Sequence, residues 1–256
     1  MSKSPKSAST LRPLAVLSVL RELRRGAEDS RPLAIVGSSE LVPELARRLR
    51  EGGAAGAVAV GSVANAAVLV WVGPTDEEKL RAATRSKVPI IAVTEDQFVP
   101  YVLAGSVVRL SPGGDFPLGE ITAAIARALG DEGAALAARL PVLRPAVCDQ
   151  LIEACAKKNG AIAAAVFVPG VDLPLLTMNQ IRLVLRIAIA YGEELDQNRA
   201  VEIVGVVGAG YGFRMLAREV LDLVPVVGWA VKGAVAYSGT RAIGAAAVRL
   251  CEARNR

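Results

Sequence analysis

The sequence predicts an α/β domain built on a parallel sheet, followed by an all-α, glycine-rich domain. From residue 31 to 131, short apolar runs ending in turn residues alternate with amphipathic helical stretches. After Gly130 those runs stop and long helical periodicity takes over. Glycine occurs 24 times while aromatics make up 4% of the chain, a mix that favours close backbone approach over large aromatic pockets. The expected organisation is a basic tail and short helix over 1–30, the α/β domain over 31–131 and an apolar helical domain over 132–256.

Met1 to Thr10 is rich in Ser and Lys and reads as a solvated tail. Leu11 to Arg25 reads as a short helix with Leu14, Leu17 and Leu20 apolar and Arg21, Arg24 and Arg25 basic. Arginines inside the apolar stretch and the lack of a small-residue cleavage site argue against a signal peptide. The helix either docks on its own domain or lies on a membrane surface.

In the α/β domain, Pro32 to Gly37 is the first strand and Leu41 to Glu51 the first helix, with Leu41, Leu45 and Leu49 on one stripe. Ala57–Val60 and Ala67–Val72 are the next strands, the latter ending at Gly73-Pro74. Thr75 is expected to cap the following helix, with Glu78 completing a capping box. Val88–Val93 and Val107–Leu110 are the last strands, and Leu118–Leu129 the closing helix.

In the helical domain, Pro145 to Lys158 carries Val147, Leu151 and Cys155 at helical spacing, with Asn159-Gly160 as the expected helix end. Ala161 to Ile181, whose only charge is Asp172, is broken by Pro169-Gly170 and Pro174. It is read as a short apolar helix, a turn and a second helix from about Pro174 to Tyr191. That hairpin either dips into a bilayer or forms a buried core. Asp196 is expected to cap the next helix, and Ile203 to Gly212 is dense in glycine. A last helix carries Gly233, Gly239 and Gly244. Small residues at such density let helices approach closely, so the candidate membrane or helix-packing positions are Val168, Leu175, Gly205, Gly208, Gly212, Val226, Trp229, Gly233, Gly239 and Gly244.

Element order and pattern over about 100 residues resemble an Era-like small GTPase domain. Ala34-Ile35-Val36-Gly37 sits where that family begins its phosphate loop, and Leu69 to Val72 on its valine-rich strand. Pro89 to Asp96 sits where it reads guanine, and Val108 to Gly114 at its last base-contacting loop. The fold implied is a Rossmann-like, GTPase-type parallel sheet with flanking helices. The chemistry departs from the family position by position. A phosphate loop needs G-x-x-x-x-G-K-[ST], with Lys on the β/γ phosphates and a hydroxyl on Mg²⁺. Here the Lys position holds Pro43, the hydroxyl position holds Glu44, and Glu40 adds negative charge. The guanine motif reads Thr94-Glu95-Asp96-Gln97 and lacks its lysine.

The second half is similar to the uncharacterised helical domain that follows Era-like GTPase domains and occurs in bacterial inner-membrane proteins. The residues that carry the likeness are Asn179-Gln180-Ile181, Ile189 to Gly192, Val224 to Gly228 and Gly239 to Gly244. The resemblance implies membrane association and partnership with GTPase-like domains.

Composition narrows the functions further. With no histidine, imidazole acid–base chemistry and His metal sites are excluded. Cys148, Cys155 and Cys251 form no CxxC and suit a reducing cytoplasm. A net charge of +5, with basic and acidic residues interleaved, makes no nucleic-acid stripe. Gly37, Ser38 and Ser39 at a strand-to-helix turn, with Ser111 and Gly113 in the last loop, are the candidate ligand contacts. The alternative is that Gly37 turns the chain and Ser39 caps the helix. The expectation is a pseudo-GTPase scaffold or adaptor without catalytic residues, metal or cofactor. It would be cytoplasmic and peripheral to, or partly inserted in, the inner membrane. Its partners would be a membrane surface, apolar helices, copies of itself or a true GTPase. A nucleotide- or anion-binding switch and a soluble oligomerising protein are the alternatives.

Overall fold

Five short runs of Val, Ile, Leu and Ala form one sheet: β1 Leu33–Gly37, β2 Val58–Val60, β3 Val68–Val72, β4 Ile90–Thr94 and β5 Val107–Arg109. The computed structural model describes residues 13–165, 173–196, 200, 202, 205 and 229–255. Strand order is β2-β1-β3-β4-β5 and each neighbouring pair is parallel, with Leu33 level with both Val58 and Val68. β3, near the centre, is buried at every position, as a parallel strand must be when both its faces are covered. The α/β, Rossmann-like class expected from the sequence is the one observed.

Side chains alternate between the two faces. Helix α2 (Leu41–Leu49) packs against β1 and β2 and buries Val42, Leu45, Ala46 and Leu49. Helix α4 (Leu118–Leu129) covers β4 and β5 with Ile121 and Ile125, both fully buried. On the opposite face, α3 (Glu77–Thr84) sets Leu80 against Trp71 and Ala92, and Ala83 against Ala34 and Leu69. Thr75 does not cap α3. Asp76 does, accepting from the Lys79 N–H at 3.0 Å. The one-residue shift frees the Thr75 N–H for a different partner, Asp96, described below.

The chain divides into two compact units. The sheet unit comprises Gly26–Leu151 and Ile189–Glu193, and the helical unit comprises Met1–Arg25, Ile152–Ala188 and Glu194–Arg256. The sheet unit therefore runs past residue 131, because α5 (Gly133–Arg139) docks on it. The Ala54 N–H donates to the Arg139 carbonyl at 2.8 Å, the Arg139 guanidinium donates to the Ser30 carbonyl at 3.0 Å, and Gly133 lies against Val147 and Leu129.

The helical unit holds α1 (Pro13–Ala27) up to Arg25, α6 (Arg144–Ala165) from Ile152 onward, α7 (Leu173–Ala190) up to Ala188, and α8 (Trp229–Arg254). α1 buries Val19, Leu20 and Leu23, and its Glu22 pairs with Arg182 of α7 at 3.2 Å. α6 does not stop at Asn159-Gly160 as expected. It continues to Ala165 because tertiary packing employs both residues inside the helix. Asn159 is fully buried, donating to Thr240 Oγ1 at 3.0 Å and accepting from Asn179 Nδ2 at 2.8 Å. Gly160 faces Gly233 of α8 so closely that a Cβ on Gly233 would stand 3.0 Å from the Gly160 carbonyl oxygen. One turn of α6 thus carries both the polar node and the closest helix crossing of the two.

The other small-residue positions differ among themselves. A Cβ on Gly244 would meet Ile152 at 2.5 Å, and Gly239 is buried. Gly205 has open space around it, and Leu175 is 49% exposed. Trp229 begins α8. Val168, Gly208, Gly212 and Val226 lie outside the described residues, as does the expected break at Pro169-Gly170. Among the described residues no helix is long and apolar enough to cross a membrane.

Candidate functional site

In a doubly wound sheet, ligands bind beyond the strand C-termini where neighbouring connections leave on opposite faces. Here that point lies between β1, which leads into α2, and β3, which leads into α3 on the other face. Gly37 ends β1 there at φ +134°, and a Cβ on it would lie 2.8 Å from the Val72 carbonyl carbon and overlap the oxygen. The Ser38 N–H donates to that same oxygen at 2.8 Å. From the other side Gly73, at φ +103°, leaves room for the Ser38 side chain. The two strand ends are therefore knit backbone to backbone.

The turn from β1 to α2 consists only of Ser38 to Glu40, and the Val42 N–H already donates to the Ser38 carbonyl at 3.0 Å. A loop that wraps a phosphate needs the longer G-x-x-x-x-G-K span. Ser39 does not cap α2. The N-cap position is Glu40, in helical geometry and without a side-chain capping bond. Pro43 sits in the first turn, where its missing N–H would have had no partner in the helix. Glu44 accepts from Arg47 at 2.7 Å and from Arg48 at 2.8 Å. Those contacts, Arg47 foremost, hold its carboxyl down at about 2. Arg48 also pairs with Asp115 and lies 5.9 Å over the Phe116 ring, tying α2 to the loop after β5. The Glu44 carboxylate is thus committed to its own helix.

The loop after β5 is an ordinary turn. Gly114 N–H donates to the Ser111 carbonyl at 2.9 Å across Pro112 and Gly113, with Gly113 at φ +66°. Ser111 and Gly113 are exposed. A cleft of about 900 Å³ is lined by Gly37 and Ser39, and neither Ser111 nor Gly113 belongs to its lining. Of the predicted contacts, Gly37 and Ser39 line the cleft, while Ser38, turned to Gly73 and the Val72 carbonyl, and Ser111 and Gly113 do not.

Asp96, in the loop after β4, has a structural task. Its carboxylate accepts the Thr75 N–H at 2.6 Å, and its own N–H donates to Thr94 Oγ1 at 3.1 Å, joining the loops after β3 and β4. Thr75, whose N–H donates to it, holds the Asp96 carboxyl below the ordinary range. A folded-state pKa below the unfolded value of about 3.9 means that this contribution is complete above that pH and is lost as the pH falls toward the folded value. We expect Asp96→Ala to cost about 1 kcal/mol at pH 7, the low end for a hydrogen bond to a carboxylate near solvent. The difference from wild type should shrink below pH 4 in urea titrations. An unchanged difference at pH 3 would contradict the assignment.

Beyond Asp96, β4 leads to an apolar loop with Phe98 79% and Leu103 81% exposed, while Val99 is buried against the Trp71 and Leu80 cluster. Sequence reasoning missed the cleft and this Asp96 link. The signal for the cleft was the spacing of the second and third strands, with only residues 61–67 between them. The link left no comparable mark.

No protein-family model, no characterised protein and no solved structure matches this chain.

Proposed function

We propose that this protein is a non-catalytic scaffold: a pseudo-GTPase sheet unit carried by a helical unit that attaches it peripherally to a membrane surface or to apolar partner helices. The observation that supports the first half is the turn after β1. It is too short to encircle a phosphate, its first N–H is spent on the Val72 carbonyl, and its helix opens with Glu40, Pro43 and Glu44. The second half draws support from the likeness of Asn179-Gln180-Ile181, Ile189 to Gly192, Val224 to Gly228 and Gly239 to Gly244 to the helical domain of inner-membrane proteins. With no membrane-crossing helix among the described residues, peripheral attachment is the form proposed.

Thermal unfolding with Mg²⁺ and GTP, GDP, ATP or NAD tests the first half. A ligand at 100 times its Kd would stabilise by about 2.7 kcal/mol, and flat curves are the expected result. A Mg²⁺-dependent shift of that size with GTP would defeat the scaffold reading. For the second half, cell membranes washed with high salt and then carbonate should release the protein. Recovery in the unwashed soluble fraction alone would remove the membrane arm.

A further inference from the structure

Parallel strands that are neighbours but one are ordinarily joined by a crossover of about a dozen residues or more, which usually includes a helix. Here β2 crosses β1 to reach β3 through residues 61–67 alone. Val63 and Ala66 of that connection pack beside Ala34 and Leu69, on the same face as α3. The helix that would normally cover β1 and β2 on that face is missing. Beside that connection lies the cleft of about 900 Å³, lined by Val63, Ala64 and Ala66, by Lys79, Ala82 and Ala83 of α3 and, past the end of β1, by Val42 and Pro43 of α2; its volume is within the roughly 300–1,000 Å³ range of small-ligand sites.

Its shape follows from the sheet. The lining runs from Arg31, ahead of β1, to Gly37 and Ser39, behind it, so the cleft follows a strand of 5 residues, roughly 17 Å at ~3.3 Å each. Val36, Val63 and Trp71 make the lining mainly apolar, and the exposed alanines Ala64 and Ala82 leave it open to solvent. The ionised side chains of the lining are Arg31 and Lys79, with no carboxylate among them. Arg31 is fixed by Asp29 at 2.7 Å and Glu132 at 3.1 Å. Lys79 has a 73% exposed side chain and, among the described residues, pairs with Asp76 alone, at 3.0 Å, so it is the lining cation able to turn toward a ligand.

We propose that the cleft binds a single-chain amphiphile, an elongated hydrocarbon with an anionic oxygen head that Lys79 meets. This inference goes beyond the scaffold reading and does not depend on it. Such a chain comes either free or as the acyl tail of a bilayer lipid, and the experiment separates the two.

The probe is cis-parinaric acid, a conjugated fatty acid, added to a Trp229→Phe variant so that Trp71 in the cleft lining is the energy donor. Saturable energy transfer is expected, with Ala64→Phe/Ala82→Phe weakening binding at least tenfold while circular dichroism and melting stay unchanged. Absence of saturable transfer, or transfer that the double variant leaves intact, overturns the proposal. Lys79→Gln should weaken the acid by up to roughly fivefold, the size of one exposed ion pair, and leave the methyl ester unaffected. Equal effects on acid and ester overturn the assignment of the head, and this arm does not depend on the double variant folding. Vesicles carrying parinaroyl phosphatidylcholine give the second source. Transfer from vesicles that the phenylalanine pair abolishes assigns a lipid tail, and transfer with the free acid alone assigns a soluble ligand.

Discussion

Gly37→Ala is expected to destabilise the sheet unit by about 4 kcal/mol, the largest effect of any single-methyl change in that unit. Two costs combine. An L-residue at φ +134° is strained, and its Cβ would overlap the Val72 carbonyl oxygen that accepts the Ser38 N–H. Relief requires β1 to part from β3 in the middle of the sheet, where neither strand can move without breaking the ladder from Leu33 to Val72. Gly56→Ala supplies the control, since Gly56 has φ +78° and nothing within 4 Å. It should lose only the backbone strain, about 1 kcal/mol. Urea unfolding followed by Trp71 fluorescence measures both. If Gly37→Ala falls within 1 kcal/mol of the control, the closed junction of β1 and β3 is wrong.

Asn159→Leu is expected to cost the helical unit about 3 kcal/mol. The amide is fully buried between α7 and α8, and removing it strips Asn179 Nδ2 of its acceptor and Thr240 Oγ1 of a donor. Thr240 retains the Ala236 carbonyl at 2.8 Å and the Gln180 amide at 3.3 Å, so the heavier loss falls on Asn179. The pattern across variants is the sharper test. Orphaned polar groups are costly, whereas removing a whole network for apolar groups of similar shape comes near to neutral. Asn159→Leu/Asn179→Leu/Thr240→Val should therefore cost less than Asn159→Leu alone. Hydrogen exchange of α6, α7 and α8 amides reads the effect in this unit. A triple variant as costly as the sum of its parts would mean that the node contributes through packing shape, not through satisfied hydrogen bonds.

Much of the sheet unit was legible in the sequence. The strand read over Ala67–Val72 is observed as Val68–Val72, and Leu118 to Leu129 is the observed helix to the residue. Helix ends were less so. Thr75 and Asp76 are both good capping residues; Asp76 takes the cap, while the Thr75 N–H donates to Asp96. At Asn159-Gly160 the local signal said stop, and burial against Thr240 and Gly233 overrode it. Of the candidate site, Gly37 was found because a glycine after an apolar strand is a local signal. The separation of Ser111 and Gly113 from it was not, since distance between loops is a property of the assembled sheet.

What the sequence by itself determined is therefore what depends on neighbours along the chain. That covers the strand and helix identities, the Glu40, Pro43 and Glu44 around the start of the helix after β1, and the absence of histidine. Tertiary structure alone decided which strand lies beside which, and hence that Gly37 meets Val72, that β2 crosses β1 without a covering helix, and that Asn159 finds Asn179 and Thr240. The physical reason is range. Propensity, capping and charge act within a turn or two of the backbone, whereas close approach and buried hydrogen bonding are set by residues tens of positions apart that meet only after the units have packed.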